Sequence, residues 1–353
     1  MIHLPRLAAL VSACLVLAAA WQGIPPGSSF LTGPVHGIPA PLPDEAMVTL
    51  PATDDDEHEP DLATDTGHFR EVSTVLSNGP VNRSVDIVVT GDGYTRAELA
   101  HGGLFDQHAR EFIRNFFNEP PFSELKRLCN VHLVRAISQE SGADQNQHED
   151  LKDTAFDAAY GAYGIDRLLV IRRPEKLRRT VLLAPAQDIV VVLVNDARYG
   201  GSGSMIPAGT GSIPAPVYAA RNSSGIRIAL HELGHSLANL ADEYVDESIA
   251  AHYSLSYVAD KPNVDTTSDL KKIKWNAFYE EEPAATNLIK AWEGGYYRTR
   301  GIWRPEEHCI MRSLSWPFCH VCRKELHRAM YRIAGRAFND TAYHRAHPVV
   351  TSP

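Results

Sequence analysis

The sequence predicts an α/β fold, and three observations carry that prediction. Short runs of β-branched residues alternate with stretches of helical spacing, the order that builds a sheet with parallel pairs. The later strand runs lead through a glycine-rich loop into a long apolar helix carrying two histidines one turn apart. A length of 353 residues with 44% apolar content is enough to bury a core spanning one or two domains.

In chain order, the opening stretch MIHLPRLAALVSACLVLAAA places Arg6 ahead of an apolar run at 7–20 that ends on the small residues Ala18 and Ala20. That is the layout of a signal peptide covering 1–20, and it directs the mature chain to be secreted, or to the periplasm or cell envelope. The run is shorter than the roughly 20 residues that cross a bilayer, so cleavage is expected rather than a retained span. Residues 11–14, VSAC, resemble a lipoprotein processing box. Only residues 7–13 of the apolar run precede Cys14 and the run continues past it, so ordinary cleavage is favoured; a membrane enters only by lipidation at Cys14. Residues 21–75 carry many prolines and the acidic run DDDEHE at 54–59, without hydrophobic periodicity. Such a segment buries too little apolar surface to order itself. It reads as a disordered linker or as an acidic pro-segment masking a site.

The main domain is expected over 76–335, with a smaller C-terminal subdomain from about residue 250 and a tail at 336–353. VDIVV at 85–89 reads as a buried strand stopped by GDG at 91–93, and Thr95 starts an amphipathic helix reaching Phe117. VHLVRAI at 131–137 is a second strand, followed by a polar loop at 138–150, and 188–194 is a third, almost wholly β-branched. The loop at 195–211 holds YGGSGS at 199–204, but it lacks the lysine followed by Ser or Thr of a phosphate loop and does not open directly onto a helix. It therefore reads as a loop or edge strand bordering a cleft. Residues 213–220 form another strand, and Asn222, Ser223 and Ser224 cap the helix that follows.

A formal charge of −9 argues against nucleic acid as a partner, because phosphate recognition needs a concentrated basic face. The basic residues Arg172, Arg173 and those at 176–179 are interleaved with Pro174, Glu175 and Leu177, as on a solvated helix. Once the leader is removed, Cys129, Cys309, Cys319 and Cys322 remain. An oxidising compartment makes one or two disulfides plausible; disulfides or buried free thiols are favoured over structural zinc, because one CxxC with a distant third cysteine is a weak signal for a site that normally shows two ligand pairs.

The helix IRIALHELGHSLANLADEY at 226–244 carries the chemistry. His231 and His235, four apart, project from one face, so both imidazoles can meet one ion. Neutral imidazole suits a borderline-soft cation such as Zn2+, which lowers the pKa of a coordinated water to roughly 7. In HExxH sites the intervening glutamate, here Glu232, takes the proton of the attacking water and later gives it to the leaving group. Ile226, Ile228, Ala229, Leu230, Leu233, Leu237 and Leu240 surround these groups with apolar side chains, among which two histidines and a glutamate are costly without a ligand.

A third ligand is required. Ala238 and Ala241 stand where the metzincin pattern has its glycine and third histidine, and Asp242 follows one residue later. On a straight helix Asp242 would lie roughly 10 Å beyond His235, out of reach. The helix must break near Ala238 and Asn239, where Asn239 tolerates a left-handed turn, and return Asp242 to the ion. Glu243 is the main rival, and Asp246 and Glu247 are more distant ones; the alternative for all four is a solvated helix end.

HELGHSLANLADEY resembles the motif of the IgA-peptidase-type zinc metallopeptidase family, exported bacterial proteins that combine HExxH with ADEY. VDIVVTGDGY at 85–94, QESG at 139–142, VNDARYGGSG at 194–203 and WEGGYYRTRGIWRPEEHCIMRSLSWPFCHVCR at 292–323 extend the likeness over residues 81–335. The resemblance implies a zincin-like metallopeptidase fold, a twisted mixed sheet over the HExxH helix with a smaller C-terminal subdomain. It implies zinc on His231, His235 and Asp242, Glu232 as base, and Met311 in a Met-turn beneath the metal. Cys319 and Cys322 match the family's FCxVC stretch, with His320 where proline is usual. The β-rich N-terminal domain of many members has no counterpart, since the residues between the leader and Val81 are too few and too polar.

The expected function is a secreted zinc endopeptidase acting on a protein or peptide bound in extended form along the glycine-rich strand. Tyr244, Tyr296 and Tyr297 are candidate oxyanion donors or cleft-wall residues. The alternatives are a cell-surface zinc-containing binding protein without catalysis, against which Glu232 speaks, and a zinc amidase acting on cell-wall peptides. Oligomeric state leaves no mark in the sequence.

Overall fold

The near-continuous apolar runs become the centre of a mixed sheet, because a strand covered on both faces has no solvent side to alternate with. The computed structural model describes residues 48–49, 70–146, 151–208 and 211–349. The expected leader, Cys14, most of the 21–75 segment and part of the polar loop lie outside them. The strands are β1 (Val48–Thr49), β2 (Arg70–Leu76), β3 (Val85–Asp92), β4 (Cys129–Ala136), β5 (Ala158–Ala159), β6 (Val170–Ile171), β7 (Ile189–Val194), β8 (Gly201–Ser202), β9 (Ser204–Ala208), β10 (Gly211–Pro214), β11 (Val217–Ala219), β12 (Trp292–Gly295) and β13 (Arg298–Arg304). The helices are α1 (Leu104–Phe116), α2 (Phe122–Leu125), α3 (Pro174–Val181), α4 (Gly225–Ala238), α5 (Ala277–Glu281), α6 (His320–Ile333) and α7 (Asp340–Ala346).

The main sheet runs β2-β4-β3-β7-β11-β8. Its central pairs β4·β3, β3·β7 and β7·β11 are parallel, while β2 and β8 close the edges antiparallel. β3, β4 and β7 are buried at every position. Polar groups inside them are satisfied across strands: Asp86 Oδ1 meets His132 Nε2 at 2.9 Å and accepts from Asn130 Nδ2 at 2.9 Å.

Several boundaries differ from the expected ones for local reasons. The chain joins the sheet at Arg70 rather than 76, since β2 is a half-exposed edge strand whose sequence REVSTVL gives little apolar contrast. No helix starts at Thr95: Glu98 Oε2 accepts from the Thr95 N–H at 2.8 Å and its hydroxyl at 2.9 Å, closing a turn, and α1 begins only after Gly102 at φ +76°. The strand expected at 213–220 is split into β10 and β11, with Pro214 and Pro216 at the break. The 336–353 tail contains α7, capped by Asn339, whose side chain accepts from the Ala342 N–H.

α4 packs against β8, β10, β11, α1 and α6. Gly201 permits its approach to the sheet: a Cβ there would lie 2.7 Å from Val217 O and 2.8 Å from Ile228 Cγ2. The glycine-rich stretch is the sheet edge in order, yet it is not an open ladder. Gly201 donates to Arg167 O at 3.3 Å and accepts from Leu169 N at 3.4 Å. Beyond it, β9 pairs with β10 on one side and with β1 on the other, Val48 opposite Ser204. The expected strand addition at Gly201 is therefore corrected, because its outward groups are already bonded.

A second, smaller core follows α4, built from Ala241, Tyr244, Val258, Val264, Tyr297 and Ile302 among others. It starts at Ala241 rather than near 250, and the antiparallel hairpin β12·β13 supplies one side of it. α6 returns the chain to the main core.

Candidate metal centre

α4 is buried on both flanks of its HELGH segment, and His231, Glu232 and His235 are all within 2% of complete burial. The two imidazoles stand 4.6 Å apart, centroid to centroid, nearly perpendicular at 86°. Their Nε2 atoms are 3.0 Å apart. α4 ends where Asn239 takes the left-handed conformation (φ 52°, ψ 33°), its N–H bonded to His235 O at 2.9 Å. This break turns the chain back, and Asp242 Oδ1 arrives 3.0 Å from His231 Nε2 and 3.5 Å from His235 Nε2.

The other atoms of these side chains fix their orientation. His231 Nδ1 faces Ile310 O at 3.1 Å and His235 Nδ1 faces Leu240 O at 2.7 Å. A carbonyl only accepts, so each Nδ1 carries the proton and each Nε2 offers a lone pair. Tyr297 donates to Asp242 Oδ2 at 2.6 Å. Two lone pairs and a carboxylate oxygen converging this closely repel one another unless a cation stands between them. Tetrahedral coordination with bonds near 2.0–2.1 Å sets donor-to-donor edges of about 3.3 Å, and the observed 3.0 to 3.5 Å brackets that value. The donor set fits a metal ion.

Three long-range contacts brace the site. Gly234 leaves room beneath the helix for Met311, whose Sδ would lie 2.7 Å from a Cβ at that position. Met311 O accepts from Glu243 N–H at 2.7 Å, and the Asp242 carbonyl accepts from Tyr296 N–H at 2.9 Å. The segment bearing Asp242 is thereby held between the Met311 turn and the β12·β13 hairpin.

Residues 74–287 and 276–330 match the family described as IgA Peptidase M64. The chain belongs to that family. It is accordingly a metal-dependent peptidase acting on protein or peptide substrates. No sequence among the curated proteins matches it.

Within this M64 peptidase the rivals to Asp242 point elsewhere. Glu243 accepts from Asn263 Nδ2 at 2.9 Å and lies 3.5 Å from Cys322 Sγ. Asp246 bonds Ser248, and Glu247 accepts from the Thr299 N–H and hydroxyl at 2.6 Å each. His320 meets Glu306 Oε1 through both its N–H and its Nδ1, pinning the start of α6. All four described cysteines are free thiols.

Of the two roles open to Tyr297, the structure favours packing over an oxyanion donor: it is buried and its hydroxyl donates to Asp242, which makes it a positioning residue. Replacing it with Phe is expected to weaken metal affinity by about 10–100-fold, as loss of an outer-shell partner does. Competition with a chromophoric chelator reads this, and unchanged affinity would remove Tyr297 from that role. Burial pushes the phenol of Tyr199 above the ordinary value, Arg167 works against this, and the nearby Glu232 carboxylate adds to it.

Proposed function

We propose that this M64 metallopeptidase is a secreted zinc endopeptidase of zincin-like architecture, with zinc on His231, His235 and Asp242 and Glu232 as general base. The convergence of two imidazole Nε2 atoms and one carboxylate oxygen across the break at Asn239 carries the reading. Two neutral nitrogen donors with one anionic oxygen, leaving a fourth position for water or substrate, is the donor set of a catalytic zinc. Bound there, zinc supplies Lewis acidity toward the scissile carbonyl and lowers the pKa of water.

The chain's own groups do the rest. Glu232, buried beside the ligands, accepts the proton of the attacking water and delivers it to the leaving amine. Extended substrate would run beside β9 once β1 leaves the ladder, which supports reading the stretch ahead of β2 as a pro-segment. The leader supports export.

Zinc removal tests the proposal. Chelation of the purified protein should abolish cleavage of an internal bond in a peptide library, and stoichiometric Zn2+ should restore it. Cleavage that survives complete removal of metal would overturn the zinc reading. Restored action confined to cell-wall stem peptides would favour the amidase.

A further inference from the structure

We propose that Cys309, Cys319, Cys322 and Glu243 form a second, structural zinc site that ties the start of α6 to the segment carrying Asp242. This goes beyond the peptidase centre and does not depend on it. The four side chains offer donor atoms all within 4.8 Å of one another. They are buried to 3% exposure or less. They come from three separated stretches of chain: the residue after Asp242, the turn two residues before Met311, and the first turn of α6.

Two of the spacings match the edges of a zinc tetrahedron. Zinc-sulfur bonds of about 2.3 Å set a sulfur-to-sulfur edge near 3.8 Å, and with a zinc-oxygen bond of about 2.0 Å the sulfur-to-oxygen edge is near 3.5 Å. Cys309 Sγ lies 3.7 Å from Cys322 Sγ, and Cys322 Sγ lies 3.5 Å from Glu243 Oε1. Backbone N–H groups also point at the sulfurs as they do toward thiolates: Cys319 N to Cys309 Sγ at 3.4 Å, and Cys322 N to Cys319 Sγ at 3.5 Å. Glu243 Oε2 is buried without a hydrogen-bond partner, which is costly for a carboxylate that meets no cation.

A disulfide accounts for the cluster less well. It takes two of three thiols and leaves the third buried beside a carboxylate, while Cys129 bonds Leu125 O in another part of the core. A sulfur separation of 3.7 Å is far from the roughly 2.05 Å of an S–S bond. Four anionic donors around one divalent ion leave negative charge, and the buried Arg304 lies close enough to Glu243 and Cys309 to interact with both. A closed four-donor site with no open position is structural and contributes folding energy outright. Here it would fix the backbone on which Asp242 and Met311 are set.

The double variant His231→Ala/His235→Ala, loaded with cobalt(II), tests the site without the peptidase centre. One cobalt ion should be retained, with sulfur-to-cobalt charge-transfer absorption, and the zinc form should show a sulfur shell at about 2.3 Å by X-ray absorption. Loss of all metal, metal without sulfur neighbours, or an intact mass short of two hydrogens from a disulfide within the cluster would overturn the proposal. If the double variant does not fold, X-ray absorption on the wild-type zinc protein decides, and absence of sulfur neighbours refutes the site. None of these readouts is peptidase activity, so failure here and failure of the catalytic reading are separable.

Discussion

Glu232→Gln is expected to lower kcat for peptide cleavage by about 10²–10⁴-fold, the range for a positioned general base, while zinc content stays at the wild-type level. Glutamine keeps the shape of the side chain but cannot accept a proton. Glu232 is completely buried on α4 between the two histidines, and glutamine is nearly isosteric with it. Removing a buried charge also spares the desolvation cost of a carboxylate, so Tm of the variant should equal or exceed that of the wild type. Cleavage at the wild-type rate would disqualify Glu232 as base. Metal bound with no cleavage by either protein would favour the binding-protein reading.

The parts of the site that the sequence displays are those held by local geometry. His231 and His235 share a face because a helix has 3.6 residues per turn, and the distance to Asp242 demands a break that only Asn239 was suited to make. The central strands were legible for a similar reason, since burial on both faces leaves unbroken apolar runs such as IVVVLV in β7. What stayed hidden rests on contacts distant in sequence. The Tyr297 hydroxyl reaches Asp242 across 55 positions and the Ile310 carbonyl reaches His231 across 79, and no periodicity records either pairing. Glu243 was weighed as a rival ligand because it neighbours Asp242, whereas adjacent residues on an extended segment point to opposite sides. One therefore faces the histidines and the other the cysteines. The same blindness applied to Gly201: a glycine-rich run advertises backbone exposure, and only the fold brings Arg167 and Leu169 against it.

Asp242→Asn should weaken zinc binding at the histidine site by more than the 10–100-fold that loss of an outer-shell partner costs, because it removes the single anionic donor. The carboxylate is completely buried with its Oδ1 facing the Nε2 atoms of both imidazoles, an arrangement matched to a cation. An amide of the same size offers a neutral oxygen at best. It also presents an N–H₂ group that competes with the bond from Tyr297, which now meets a donor or must turn its own hydroxyl to accept. Metal binding stabilises the folded chain by about 1.4 kcal/mol for each tenfold in affinity under saturating zinc, so the zinc-induced rise in Tm should shrink accordingly. Calorimetric titration combined with melting curves, with and without zinc, measures both effects. A variant that binds zinc and melts as the wild type does would transfer the third-ligand role away from Asp242. Glu243 is the neighbour that would have to take it, and to reach the histidines it would have to leave Asn263 and the cysteines.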